Sequence, residues 1–127
     1  MINLKNIKLK NWYHKADYGY IQWSLNDWSK IIKNSDYLMK FSPIKLIDVL
    51  DKIEGLKSYI TKYGTYHKIN LLSTDIYIRP TLDKFYFGFL LSINGQECEI
   101  HNCYEIEYLH EFQDMIYGLT KQELKIN

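Results

Sequence analysis

The residues best suited to bind a metal ion lie close together in the second half of the chain. Cys98, His101, Cys103 and His110 fall within thirteen positions, and zinc is bound tetrahedrally by ligands of these types. However, side chains alternate along a strand, which puts Cys98 and His101 on opposite faces. The paired-cysteine spacing of zinc sites is also absent. We therefore predict a buried thiol and a surface histidine here, and no metal site.

Three carboxylates, Asp75, Glu97 and Glu99, fall on predicted neighbouring strands and could together hold a divalent cation. A nuclease of the restriction type would place a lysine two residues after the acid, but Glu99 stands there after Glu97. The chain also lacks a nucleophile elbow and a glycine-rich phosphate loop. The sequence predicts a non-enzymatic protein without a cofactor.

A partner-binding surface is the stronger hypothesis, because one acidic stretch contains no Lys or Arg. A negative patch of this kind attracts a basic protein surface and speeds the encounter. Twelve Tyr and three Trp are many for 127 residues, and surface Tyr and Trp are typical interface anchors. The alternative is that the acids compensate a helix dipole and keep the protein soluble. The predicted contact residues are the acids Glu97, Glu99, Glu105, Glu107, Glu111 and Asp114 and the anchors Tyr86, Tyr104 and Tyr108.

The amino-terminal half has the opposite charge. Residues 1–68 contain twelve Lys against six Asp and Glu, whereas residues 69–127 contain four Lys and Arg against nine acids. The lysines alternate with aromatic residues, a pattern that suits stacking and phosphate contact in nucleic-acid binding. A net charge of only +1 and a single arginine, Arg79, argue against it. The aromatic residues concerned are Trp12, Tyr13, Tyr18, Tyr20 and Trp23.

The elements that must position these residues are led by a β-hairpin. Phe85, Phe87, Phe89, Leu91 and Ile93 alternate with other residues and share one face of a predicted strand. Asn-Gly at 94–95 favours a type I′ turn, and residues 96–102 alternate again as the return strand. The apolar face of this hairpin needs a covering layer.

The remaining elements follow from periodicity. Strands are predicted at 2–9, with a break near residue 6, and at Tyr18–Leu25, His67–Leu72 and Asp75–Arg79. Trp28, Ile31 and Ile32 have helical spacing, although Ile31 and Ile32 would also fit a short strand, which leaves residues 26–41 open.

Two helices are predicted from caps and apolar stripes. Ser42-Pro43 is a favourable helix start, and an apolar stripe continues to Ile60. A second helix is predicted over Glu105–Tyr117, with Gly118 as its stop. The fold class is therefore α+β, an antiparallel sheet of five to six strands with two α-helices packed on one face.

One domain is expected at this length. The absence of an 18-residue apolar run and of a signal-peptide pattern predicts a cytoplasmic protein without a membrane partner. Two cysteines fit a reducing compartment.

This arrangement resembles the immunity proteins of bacterial polymorphic toxins, small α+β proteins. The resemblance is carried by Tyr18–Leu25 leading to the Ser42-Pro43 helix and by the strand–turn–strand–helix ending from Ile76 to Leu119. It implies a cytoplasmic, non-enzymatic inhibitor that binds one toxin tightly and blocks its active site. The acidic patch predicts that the partner is a nucleic-acid-processing toxin or defence enzyme. We hypothesise that Glu97, Glu99 and the helix acids dock on a basic surface of that partner. A phage anti-defence protein, such as an anti-CRISPR that mimics nucleic-acid charge, is the alternative, and a small nucleic-acid-binding protein is the second.

Overall fold

The computed structural model describes residues 7–62, 64–72, 74–93 and 96–127, without the side chains of 89–93 and 97–104. Within these residues the chain forms two antiparallel sheets, two α-helices and three short 3-10 helices. The 3-10 helices are Ser35–Lys40, Leu46–Asp48 and Leu50–Lys52. The other elements are β1 (Trp12–Lys15), β2 (Gly19–Gln22), α1 (Leu25–Lys33), β3 (Phe41–Ser42), β4 (Lys57–Thr61), β5 (Gly64–Leu71), β6 (Thr74–Pro80), β7 (Phe85–Ile93), β8 (Gln96–Ile106) and α2 (Leu109–Thr120).

The larger sheet has five strands in the order β4-β5-β6-β7-β8, so each strand lies beside its neighbour in sequence. The smaller sheet has the order β2-β1-β3. Both sheets are antiparallel. The predicted α+β class and the main sheet of about five strands are confirmed. The smaller sheet, formed by the amino-terminal strands, is separate from the main one.

The predicted hairpin is β7 and β8, which pair from Ile93 with Gln96 at the turn end. The turn residues 94–95 lie outside the described residues. Phe85 and Phe87 are buried and Tyr86 between them is 44% exposed, as alternation requires. Tyr86 pairs with Glu105 and Gly88 with His101. Three residues of β8 therefore stand opposite one residue of β7, and β8 has a bulge of two extra residues.

Helix α2 lies between the two sheets and belongs to both layers. Its Phe112 and Ile116 are buried in the main core, and the Phe112 ring meets the Phe87 ring of β7 with centroids 6.4 Å apart. On its other side, His110 packs against Tyr13 of β1 with ring centroids 5.5 Å apart. The main sheet is thereby covered on one face, here called the inner face, and we call the opposite face the outer face.

The smaller sheet has its own core, centred on Trp23. The Trp23 ring is 1% exposed and makes edge contacts with Trp28 of α1 and Phe41 of β3. Helix α1 begins with a capping box, in which Ser24 and Asp27 each accept a hydrogen bond from the other's backbone N–H. Residues 26–41, whose structure the sequence left undecided, are mostly helical, and Ile31 and Ile32 lie in α1.

The helix predicted to start at Ser42-Pro43 is wrong. Ser42 ends β3, and two 3-10 helices and a β-strand occupy the predicted helix. The reason is tertiary: the Leu46 N–H donates to the Glu107 carbonyl, and the Leu109 N–H donates to the Ile44 carbonyl. These bonds hold residues 44–46 extended at the entrance to α2, so that an α-helix cannot begin there.

Other predicted boundaries also shift. The strand predicted at Tyr18–Leu25 is the shorter β2, and the strands at His67–Leu72 and Asp75–Arg79 are β5 and β6. The helix predicted over Glu105–Tyr117 starts at Leu109 and continues through Gly118 to Thr120. Of the strand predicted at 2–9, residues 2–6 lie outside the described residues, and no strand forms from residue 7 to residue 10.

Among the described residues, neither helix reaches the length and apolarity needed to cross a membrane.

Candidate functional site

The predicted acids are spread over two elements and the link between them. Glu97, Glu99 and Glu105 belong to β8, Glu107 lies in the link, and Glu111 and Asp114 belong to α2. The side chains of Glu97, Glu99 and Tyr104 are outside the described part of the chain. Tyr86 lies in β7 and Tyr108 directly before α2.

Glu111 is engaged at the start of its own helix. Its Oε1 accepts hydrogen bonds from the backbone N–H of Glu107 at 3.2 Å and of Tyr108 at 3.0 Å. These N–H groups have no partner within the helix, and the carboxylate also lies at the positive end of the helix dipole. The geometry favours a structural role for this acid.

Asp114 and Glu105 each have partners of their own in the structure. Asp114 accepts a hydrogen bond from Asn11 Nδ2 at 2.8 Å, and its other oxygen lies 3.5 Å from Lys8 Nζ. It thereby ties α2 to the segment before β1. Glu105 lies 3.7 Å from Lys84 Nζ and remains 43% exposed. Glu105 is also the register partner of Tyr86, so the structure brings one predicted acid and one predicted anchor together on the outer face.

Replacing Glu111 with alanine is expected to lower the free energy of unfolding by roughly 0.5–2 kcal/mol, because the helix loses its cap. Glu107→Ala removes the same charge from the link and is expected to change it by less than about 0.5 kcal/mol. Urea unfolding followed by circular dichroism measures both. Equal stability of the two variants would contradict the capping role of Glu111.

The outer face carries a row of aromatic and charged side chains that crosses all five strands. Tyr59 of β4 pairs with Tyr66 of β5, Arg79 of β6 pairs with Tyr86 of β7, and Tyr86 pairs with Glu105 of β8. The guanidinium carbon of Arg79 lies 5.6 Å from the centroid of the Tyr66 ring, and this contact connects β5 with β6 in the row. Arg79 is the only arginine of the chain, and it lies on the central strand.

These side chains are held by stacking. The rings of Tyr59 and Tyr66 lie 5.1 Å apart and nearly parallel, at 15°. Lys68 Nζ lies 5.2 Å from the Tyr59 ring, and Arg79 lies 5.4 Å from the Tyr77 ring as well as over Tyr66. Cation–π contacts of this kind contribute about 0.5–1 kcal/mol each at exposed sites. Stacking and cation–π contacts therefore connect these side chains across β4, β5 and β6.

The Tyr77 ring packs between Arg79 of this row and the backbone of β7. Its ring covers Gly88 of β7, its register partner, so closely that an added Cβ at Gly88 would lie 2.6 Å from Tyr77 Cε2. The Tyr77 side chain is only 5% exposed. Gly88 thus leaves the space in which Tyr77 lies flat against the strand and presents its ring to Arg79.

The site residues predicted from the sequence did not include Tyr59, Tyr66, Tyr77 or Arg79. A signal was present for two of them, because Tyr77 and Arg79 alternate with the buried Ile76 and Ile78 along a predicted strand. Tyr59 carried no such signal, because it fell within the predicted Ser42-Pro43 helix.

One pair of side chains has the geometry of a nucleophile and a base. Ser58 Oγ lies 2.7 Å from His67 Nδ1 across β4 and β5. The His67 ring is 9% exposed and packs edge-on against Phe85, and this burial lowers the pKa of its imidazole. Among the described residues no carboxylate is hydrogen-bonded to this histidine. The pair is interpreted as a hydrogen bond that satisfies a buried ring nitrogen.

Of the four residues with metal-ligand side chains considered in the sequence, only His110 has a described side chain. His110 is buried between the rings of Tyr13 and Tyr108, and burial lowers the pKa of its imidazole. The side chains of Cys98, His101 and Cys103 lie outside the described ones. Asp75 accepts a hydrogen bond from Asn70 Nδ2 at 2.7 Å and pairs in register with Leu90, the partner of Glu99.

No protein-family model, curated protein or solved structure matches this chain.

Proposed function

We propose that this chain is a non-enzymatic inhibitor that binds a partner protein through the outer face of its main sheet. The observation that carries the proposal is the row Tyr59, Tyr66, Arg79, Tyr86 and Glu105 on that face. Tyr and Arg are the residues most enriched among those that dominate binding energy at protein interfaces. Because stacking already fixes several of these side chains, little conformational entropy is lost when a partner docks.

The immunity-type role inferred from the sequence is kept, but the proposed binding surface is now centred on the outer face of the main sheet. The anchors become Tyr86 and its neighbours on β5 and β6, and the acids of β8, Glu97, Glu99 and Glu105, form one side of the interface. The partner is a nucleic-acid-processing toxin or defence enzyme whose active site the sheet covers. Glu111 and Asp114 are left out of this interface, because Glu111 caps α2 and Asp114 ties α2 to the segment before β1.

A pull-down from a lysate of the native host, with nuclease added, tests the proposal. The tagged protein is compared with a Tyr66→Ser/Tyr86→Ser variant, and captured proteins are identified by mass spectrometry. The wild-type chain is expected to recover one stoichiometric partner, and the variant is expected to lose at least about 30-fold in affinity, the effect of one dominant contact residue. The affinity is then measured with the purified partner.

The matched control is Tyr20→Ser/Tyr117→Ser, which removes two exposed tyrosines outside the main sheet. It is expected to bind like the wild type, and circular dichroism checks that both variants fold. The proposal is overturned if no protein partner is recovered, or if the control loses binding while the outer-face variant keeps it. A toxin gene next to this gene favours immunity, whereas phage structural genes favour the anti-defence role.

A further inference from the structure

A group of lysines surrounds one buried tyrosine near the end of α1. Tyr37 lies in the 3-10 helix Ser35–Lys40, is 8% exposed, and its hydroxyl donates to Asp27 Oδ1 at 2.6 Å. Lys15 Nζ donates to the same hydroxyl at 3.3 Å. Lys15 Nζ, Lys30 Nζ and Lys40 Nζ lie 5.1, 5.4 and 5.7 Å from the centroid of the Tyr37 ring.

Lys30 and Lys40, together with Lys33, line a small cleft. The cleft has a volume of about 250 Å³, and Asp36 is its one carboxylate among the lining residues. The charge of Asp27 offsets that of Lys15, which leaves three lysines against Asp36 in the cleft. Positive charge is therefore in excess at the mouth. The lining residues are Lys30, Lys33, Asn34, Asp36, Tyr37 and Lys40.

The helix dipole accounts for part of this group only. Lys30 and Lys33 belong to the last turn of α1, where cations are favourable in any helix. Lys15 comes from β1 and Lys40 from the end of the 3-10 helix, so these two converge on Tyr37 from other elements. Convergence of like charges opposes folding, and an anionic ligand would offset that cost.

An exposed aromatic ring lies beside Lys15, one of the three lysines around Tyr37. Tyr18 is 75% exposed, and Lys15 Nζ lies 4.3 Å from the centroid of its ring. A ring next to a phosphate-binding cation is the arrangement with which proteins hold single-stranded nucleic acids, because a base stacks on the ring while the backbone meets the charge.

We propose that this lysine cluster binds the backbone phosphates of a single-stranded nucleic acid and that Tyr18 stacks on a base. Lysine binds phosphate as a point charge, without the bidentate fork of arginine. A single strand is favoured over a duplex because its bases are available for stacking on Tyr18. This site lies on the smaller sheet and α1, apart from the outer face, and is independent of the proposed inhibitor function.

The test is fluorescence anisotropy of a labelled 15-nucleotide oligo(dT) with the full chain at several salt concentrations. Lys30→Ala/Lys33→Ala/Lys40→Ala is expected to weaken binding at least tenfold at low salt. It should also reduce the slope of log affinity against log salt by about 2, since each phosphate contact on a single strand contributes about 0.7. Tyr18→Ala is expected to weaken binding roughly 5- to 100-fold.

The matched control, Lys57→Ala/Lys121→Ala/Lys125→Ala, removes the same charge from β4 and from the residues after α2. It should change affinity by less than about threefold. Equal loss in both triple variants would mean that only net charge matters, and absence of saturable binding by the wild type would also overturn the proposal. So would equal affinity for duplex DNA without an effect of Tyr18→Ala, or displacement of the oligonucleotide by poly-glutamate at equal charge concentration, which would point to an acidic protein.

Discussion

Replacing Gly88 with alanine is expected to lower the free energy of unfolding by roughly 1–3 kcal/mol, the range for overpacking a filled site. The added methyl group would lie 2.6 Å from Tyr77 Cε2 and Cζ. These atoms belong to a rigid ring that is 5% exposed, so the ring has to swing away from the sheet. Arg79 then loses one of the two rings that hold it, and partner binding should weaken as well.

Gly118→Ala is the matched control for this substitution. Gly118 lies inside α2, and no described atom outside its own helix lies within 4 Å of an added Cβ, so alanine should raise stability by about 0.5–1 kcal/mol. Opposite signs for the two glycines in urea unfolding would establish that the contact matters and not the residue type. A stability unchanged by Gly88→Ala would show that the Tyr77 ring is not fixed on the strand.

Replacing Asp27 with alanine is expected to lower the free energy of unfolding by roughly 2–4 kcal/mol, because a helix cap and a buried charged acceptor are lost together. The carboxylate accepts from the Ser24 N–H at 2.9 Å, the Ser24 hydroxyl at 2.9 Å and the Tyr37 hydroxyl at 2.6 Å. Asp36→Ala, an exposed neighbour, is the control, with an expected change below about 0.5 kcal/mol.

The pH dependence of Asp27 provides a second measurement. Burial by itself would raise the pKa of this carboxyl, but the hydrogen bonds from Tyr37 and Ser24 and the charge of Lys15 outweigh it, so the pKa lies below 3.8. A carboxyl whose pKa is lower in the folded state than in the unfolded state stabilises the protein at pH values above the unfolded-state pKa. This stabilisation is lost as the pH falls through the folded-state pKa. The stability difference between the wild type and Asp27→Asn should therefore shrink below about pH 3.8. A difference that stayed constant to pH 2 would contradict this assignment.

The main hairpin could be predicted because its information is local. Alternation from Phe85 to Ile93 decides which face is inward, and the structure buries Phe85 and Phe87 and exposes Tyr86 accordingly. The same reasoning predicted β5 and β6. It did not predict that the amino-terminal strands form a separate sheet, since nothing in the pattern of β1 and β2 indicates which strand they pair with.

The Ser42-Pro43 helix illustrates a contact that local patterns cannot contain. The backbone of Ile44 and Leu46 bonds to residues about sixty positions later, and these bonds overrule a favourable helix start. Conversely, Ser24 and Asp27 have the spacing of a capping box, and this signal could have placed α1.

The candidate site was predicted in part for a related reason. Tyr86 and Glu105 could be assigned because both belong to the hairpin and its continuation. The contacts of Arg79 with Tyr66 and of Tyr59 with Tyr66 depend on the order of strands within the sheet. That order becomes visible only once the sheet is formed.

The bulge in β8 has a consequence for how this protein can change length during evolution. The bulge contains two extra residues. Regular pairing between β7 and β8 resumes on both sides of it. A β-bulge can also hold a single extra residue opposite one partner, so the pairs Glu105–Tyr86 and Ile106–Phe85 can persist when one residue is lost there. Changes of one residue in this segment should therefore be absorbed by the bulge during evolution, whereas the same change within the regular pairing of β7 would exchange its inward and outward faces.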